Sequence, residues 1–181
     1  MSNSENLFLP DGYEAPVSGG GYMKLQDGEN RFRILSKPII GWLDWTAEKK
    51  PLRFGYKFKP EKPLNPKQPV KHFWAFIVYN HTEKAIQILE VTQASIQQAL
   101  TALNKDEDWG APFDYDIKIN RTGKDMETKY TVNPSPRKDL TEEQKKAALE
   151  KRVNLNALFQ NEDPFAVTTV YTELAFESLP F

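Results

Sequence analysis

Residues 72–103 read HFWAFIVYNHTEKAIQILEVTQASIQQALTAL, and this stretch decides the fold. Phe73 to Tyr79 reads as a strand, Asn80-His81-Thr82-Glu83 as a tight polar turn, and Ala85 to Val91 as a second strand. Ile86 and Ile88 alternate with Ala85, Gln87 and Leu89, the two-residue period of a strand with one wetter face. Phe73 to Tyr79 is apolar on both faces, which marks a central strand or one whose aromatic face has a task; Trp74, Phe76 and Val78 are taken as inward. Thr92 to Leu103 follows as a helix, because Ile96, Ala99, Leu100 and Leu103 form one apolar stripe, with Thr92 expected at its N-cap.

More strands flank this unit. Tyr22 to Leu25 and Arg31 to Leu35 read as strands around Asp27-Gly28-Glu29-Asn30. In the second of them Phe32 and Ile34 point one way, Arg31 and Arg33 the other. Beyond the helix, Asn104 to Pro112 is a polar loop that holds Trp109. Tyr115, Ile117 and Ile119 then alternate with Asp116, Lys118 and Asn120, and Thr128 to Val132 returns as a further strand. Gly123 is the expected positive-φ position of the turn between them. Thr141 and Gln144 form a capping box that opens a thinly apolar helix.

A chain of 181 residues with 39% hydrophobic and 12% aromatic residues can bury one core, so one domain with appendages is expected. Residues 1–21 read as a flexible arm, 22–136 as the domain with a basic and aromatic insertion near 42–70, and 137–181 as a helix with an acidic tail. The start, MSNSENLFLPDG, lacks the basic region and apolar block of a signal peptide, and no apolar run approaches the roughly 20 residues of a membrane span. The chain has no Cys, which excludes disulfides and thiolate zinc sites. A soluble protein of the cytoplasm, with no membrane partner, is the expectation.

The formal net charge of −1 conceals an asymmetry. Between Arg31 and Asn80 eleven bases face three acids, a net of +8, while from Asp139 to Phe181 eight acids face four bases, a net of −4. Such a division points to a polyanion as partner. In the basic half, Trp42, Trp45, Phe54, Tyr56 and Phe58 are interleaved with Lys49, Lys50, Arg53, Lys57 and Lys59. Pro51, Pro60, Pro63, Pro66 and Pro69 rule out a continuous helix there, so a long loop or a hairpin near Leu52 to Phe58 is expected. Cations that follow phosphates and rings that stack on unpaired bases are what a single strand of nucleic acid requires. For each residue alone, closing one end of the core remains an equal alternative; for the cluster as a whole, binding is favoured.

The order strand, strand, strand, helix, strand, strand is that of a mainly β, five-stranded OB-fold barrel with a helix between strands 3 and 4, followed here by a C-terminal helix and tail. In this order, and in the segments DGENRFRIL, HFWAFIVYN, IQILEVTQASI and DWGAPFDYDIKINRTGKDMETKYTV, the chain resembles the single-stranded DNA-binding proteins of tailed phages and prophages. The resemblance implies sequence-independent binding of single-stranded DNA in phage replication or recombination, within the host cytoplasm and with room for a homo-oligomer. It places Arg31, Arg33, Trp42, Trp45, Arg53, Phe54, Tyr56, Lys57, Phe58, Lys59, Phe73, Tyr79, Arg121, Lys124 and Lys129 near the strand. Some phage relatives carry a Cys/His zinc module, which a chain without Cys and with only His72 and His81 does not have; no cofactor is expected.

The terminal Phe176-Glu177-Ser178-Leu179-Pro180-Phe181 is similar to the acidic tip of bacterial single-stranded DNA-binding proteins, which docks replication partners. That likeness implies partner contacts through Phe176, Leu179, Pro180 and Phe181; a last strand or hook packed on the domain is the alternative. The acidic end is also expected to fold back over the basic groove when DNA is absent. No phosphate-binding glycine loop is present, and Asp114 with Asp116 reads as a solvated pair and not as a metal nuclease site, so no enzyme is expected. A protein–protein scaffold or phage assembly factor on the same barrel, and RNA binding, stand as alternative functions.

Overall fold

The structure, a computed structural model, describes residues 20–166 and 171–176. The arm up to residue 19 and the tip residues Leu179, Pro180 and Phe181 lie outside the described residues. The strands are β1 (Gly28–Ile34), β2 (Ile39–Trp45), β3 (Pro51–Gly55), β4 (Lys71–Asn80), β5 (Ala85–Val91), β6 (Asp116–Thr122) and β7 (Lys129–Pro134). The helices are α1 (Ala94–Lys105) and α2 (Glu142–Glu150). All seven strands form one antiparallel sheet in the order β3-β2-β4-β1-β6-β7, with β5 also paired to β4.

This corrects the expected five-stranded barrel. Among the described residues the sheet has seven strands and is not closed, and α1 lies between the fifth and sixth strands. Two physical reasons account for the difference. First, Gly28 to Trp45 is one path broken by a bend: at Leu35 to Pro38 the chain leaves β1 and enters β2, and the Ile77 N–H is satisfied by the Ser36 hydroxyl at 2.9 Å. Pro38 has no N–H to give a ladder and sits in that bend. Second, the free edge of β5 is already occupied. Ile88 N–H donates to the Gly21 carbonyl and Met23 N–H donates to the Ile88 carbonyl, each at 2.9 Å. Tyr22 contributes only this isolated bridge and not the expected strand.

Strand β4 is central, as its two apolar faces require. Phe76 and Val78 pack with Phe32, Ile34, Leu89, Val91, Ile117 and Ile119 beneath Ile96 and Leu100 of α1, with Trp74 at the margin. The opposite face carries Phe73, Ala75, Ile77 and Tyr79. It is covered by the chain after residue 140, through Ala148, Val153, Leu155, Leu158 and Leu174. The sheet therefore has a core on each side, and the segment after Leu140 forms one of them. Within that segment the Thr141–Gln144 capping box is present, with bonds of 3.2 and 3.0 Å. The N-cap of α1 is Gln93 and not Thr92, and it makes no side-chain cap bond. Gly123 has φ +79°, and a Cβ there would collide with the Glu127 carbonyl.

Candidate nucleic-acid interface

The aromatic cluster sits on one face of the sheet, where hairpin β2–β3 pairs with β4. The hairpin register places Trp42 opposite Phe54, and β4 places His72 on the other side of Trp42. Side chains at these positions share a face, because strand residues alternate and paired residues point the same way. After β3 the chain turns back, Phe58 N–H donating to the Gly55 carbonyl at 2.9 Å, and this brings Tyr56 and Lys59 against Trp42. The Trp42 and Tyr56 rings lie 6.3 Å apart and only 15° from parallel. The His72 ring is 4.8 Å from Trp42 and 5.7 Å from Tyr56.

Hydrogen bonds lock this group. Trp42 Nε1 donates to the Tyr56 carbonyl at 2.9 Å. His72 Nδ1 lies 2.9 Å from the Gly41 carbonyl, and Trp74 Nε1 donates to His72 Nε2 at 3.3 Å. Those two bonds make Nδ1 the protonated nitrogen and Nε2 the acceptor. Lys59 Nζ stands 4.5 Å from the Trp42 ring centroid, in cation–π range. Tyr56 is 63% exposed and Phe58 73% exposed, far more than core aromatics tolerate, so their rings are offered to the surface. Lys57, Lys59, Lys62, Lys67 and Lys71 are exposed around them, and none has a carboxylate partner among the described residues. The result is a ring platform, held in place from behind, within a field of unpaired cations.

Other residues expected near the strand are placed differently: some are buried or paired within the sheet, and some stand exposed away from the ring cluster. Phe73 is fully buried and Tyr79 is 5% exposed, so neither ring has a face for a base. They lie on the sheet face covered by the chain after residue 140. Arg33 is buried, with Nε 2.8 Å from Asp116 Oδ1 and a terminal nitrogen donating to the Lys138 carbonyl at 2.7 Å. Arg31 reaches the other oxygen of the same carboxylate at 2.9 Å. Arg53 pairs with Glu90 at 2.7 Å and lies over the Phe73 ring, fastening the hairpin to β5. Trp45 packs on the core from β2, and Phe54 is half-buried. Arg121 donates to the Leu25 carbonyl at 3.0 Å and lies 3.8 Å from Asp27. Lys124 and Lys129 are exposed in the β6–β7 hairpin, apart from the ring cluster in sequence.

Asp116 is the residue that the sequence reading misplaced. It is buried, with His81 Nε2 3.1 Å from its Oδ2 in addition to the two arginines. Burial alone would push its carboxyl up; the His81 contact and the Arg33 and Arg31 guanidiniums outweigh this and hold it well below the usual carboxylate range. Asp114, its supposed partner, is exposed and paired to Arg137 at 3.0 Å. His72 and Trp74 are functional candidates that the sequence reading did not single out. Their signal was parity: they fall two residues apart on a strand that the pairing aligns with Trp42.

At the C-terminal end, Ala175 N–H donates to the Leu35 carbonyl at 2.6 Å and Phe176 packs on the core. This described part of the acidic segment lies on the sheet face opposite Trp42. The alternation along β2 shows it: a Cβ at Gly41 would meet the Phe73 and Phe159 rings of that core. Residues 171–176 therefore do not lie over the ring cluster; the tip beyond them, expected to fold back over the basic groove, lies outside the described residues. Among the described residues, no group of three His, Asp or Glu side chains is arranged to hold a metal ion, and no helix is long and apolar enough to cross a membrane.

No protein-family model matches the chain, and no solved structure matches it. A curated protein of Escherichia phage T5, described as a probable ssDNA-binding protein, is 27% identical over 139 residues, or 61% of this chain and 53% of that protein. The chain thus spans about half the length of the curated relative it matches. The resemblance to phage single-stranded DNA-binding proteins drawn from the sequence blocks is matched by this likeness.

Proposed function

We propose that this protein binds single-stranded DNA without sequence preference, as a coating protein and not a catalyst. The observation that carries the reading is the Trp42–Tyr56–His72 cluster with Lys59 against it: Tyr56 is exposed, Trp42 and His72 are half-buried behind it, and exposed lysines surround the connection after β3. A nearly parallel ring pair offers π-faces to any base, and base–aromatic stacking contributes about 1–3 kcal/mol per base regardless of sequence. The unpaired lysines neutralise the phosphates that pass beside it. The similarity to the phage T5 protein supports the same nucleic acid and, at a further remove, a place in phage DNA replication or recombination.

The pairing order supports an opened OB-type frame for this task. The bent path β1–β2 pairs with β4, β4 with β5, and after α1 the β6–β7 hairpin returns beside β1. Only the pair that would close β5 onto β7 is lacking among the described residues. In this reading Tyr56 and Lys59 belong to the long connection after the first strand of that frame, and Trp42 and His72 stand on the two strands it joins.

The test is fluorescence anisotropy with a labelled oligo(dT) at low salt. Wild type binds, and Trp42→Ala and Tyr56→Ala each weaken binding by about 5- to 150-fold, the range of one stacked base. Met126→Ala, on the β6–β7 turn and fully exposed, leaves the affinity unchanged. Failure of wild type to bind rejects the proposal.

A further inference from the structure

Beside the ring platform the same face of the sheet opens into a cleft of about 480 Å³. Ile40, Trp74, Phe76, Leu100, Pro112 and Phe113 line it, so β2 and β4 form one side, and α1 with the loop before Tyr115 the other. Its volume falls within the 300–1,000 Å³ range typical of small-molecule sites. We infer that this cleft is a second base subsite, which receives one unpaired nucleobase of the strand held by the platform. The inference rests on the single-strand reading above and extends it.

Three observations fix the occupant. The first is continuity. Ile40 pairs with Trp74 and Trp42 with His72 across the same two strands, so the four side chains form two adjacent rows on one face. The Trp74 indole joins the sites physically, lining the cleft while its Nε1 donates to His72 of the platform. Two residues along a strand is about 7 Å. That is roughly twice the 3.4 Å rise per nucleotide of a stacked strand, so one strand spans both sites within one or two unstacked nucleotides. The second is the surface left open: Ile40 is 38% exposed and Trp74 half-buried, an apolar floor wide enough for a flat ring.

The third is the chemistry at the rim. Lys37 and Asn104 are exposed there, and Lys37 has no carboxylate partner among the described residues. An ammonium suits a phosphate that precedes or follows the inserted base. The Asn104 amide offers a donor and an acceptor to a base edge, and the Thr101 hydroxyl, which donates to the Gln97 carbonyl at 2.7 Å, keeps lone pairs to accept a base N–H. Groups that both donate and accept do not select one base, which agrees with sequence-independent binding. An apolar peptide would leave Lys37 without a counter-charge; a nucleotide supplies ring and anion together.

The test compares wild type, Ala111→Trp and Trp42→Ala on two probes of equal length, oligo(dT) and an all-abasic oligonucleotide. Ala111 is exposed at the cleft, so a tryptophan there fills its mouth without entering the core. Ala111→Trp is expected to weaken oligo(dT) binding by at least about fivefold, the lower end of one stacked base, and to leave the abasic probe unchanged. Equal oligo(dT) affinity in wild type and Ala111→Trp, with Trp42→Ala still impaired, overturns the cleft and keeps the platform. Absence of oligo(dT) binding by wild type overturns the platform reading itself and the cleft with it. A second measurement needs no variant: photo-crosslinking of wild type to oligo(dT) bearing single 5-iododeoxyuridines, mapped by mass spectrometry. Crosslinks at Trp74 or Phe113 are expected; crosslinks confined to Trp42 and Tyr56 overturn the inference.

Discussion

Asp116→Asn should destabilise this protein far more than an ordinary surface carboxylate change. The Asp116 side chain is 5% exposed and that of Arg33 3% exposed, with 2.8 Å between them. Without the carboxylate charge, the Arg33 guanidinium keeps the Lys138 and Phe113 carbonyls but no anion, and Arg31 and His81 lose theirs as well. Leaving a buried charge without its partner costs about 3–5 kcal/mol. With a urea m-value of about 2 kcal/mol/M, the midpoint should fall by roughly 2 M at constant m. Equilibrium urea unfolding followed by tryptophan fluorescence measures this. The reasoning includes a sign that a generic core defect would not share: replacing both partners, Arg33→Met with Asp116→Leu, should recover much of the loss, because no charge is then stranded. A midpoint shift under about 0.5 M for Asp116→Asn, equal to about 1 kcal/mol, would refute the claim that Asp116 anchors Arg33.

Other outcomes follow from the same geometry. Because the Asp116 carboxyl is held below its ordinary value, the unfolded chain takes up a proton that the native state refuses. The stabilisation is therefore complete above about pH 4 and is lost as pH falls toward the native-state value. Acid titration of unfolding should show a steep limb that Asp116→Asn flattens. Lys57→Ala and Lys59→Ala should each reduce the slope of log affinity against log salt by about 0.7, the value for one phosphate contact on a single strand. Leu174→Ala removes a side chain 6% exposed within the second core and should cost about 2–5 kcal/mol in thermal or urea unfolding. A change under about 0.5 kcal/mol, within the range of surface substitutions, would show that the segment after Leu140 is not part of the folded unit.

Local pattern carried the β4–β5 hairpin, α1, the capping box at Thr141 and the turn at Gly123, because periods of two and 3.6 residues, caps and positive φ are local signals. What stayed hidden depends on pairing across distance. Ile39 to Trp45 has no regular two-residue period, and its pairing with β3 and β4 is what makes it a strand. Gly41 within it answers to packing, since the β2–β3 approach leaves no room for a Cβ beside the Phe54 carbonyl. Asp116 alternates with apolar residues as a solvent-facing position should, and only the β1–β6 register sets it opposite Arg33. The second core has no period to read, since Ala148, Val153, Leu155, Leu158 and Leu174 come from a short helix, a 3₁₀ turn and irregular chain. In the candidate site, the half-buried Trp42 and the exposed Tyr56, Phe58, Lys57 and Lys59 were legible from composition, while His72 and Trp74 became visible only through strand pairing.

The central claim is that the Trp42–Tyr56–His72 platform stacks on the bases of a single strand. The most direct measurement is the quenching of intrinsic fluorescence during titration with poly(dT) at low and high salt, in wild type and Trp42→Ala. The chain has four tryptophans, and one of them forms the platform, so wild type should show strong quenching at low salt that salt reverses. Trp42→Ala should lose most of that signal together with affinity. Absence of both quenching and binding at low salt would contradict the account and favour a scaffold role for the same sheet.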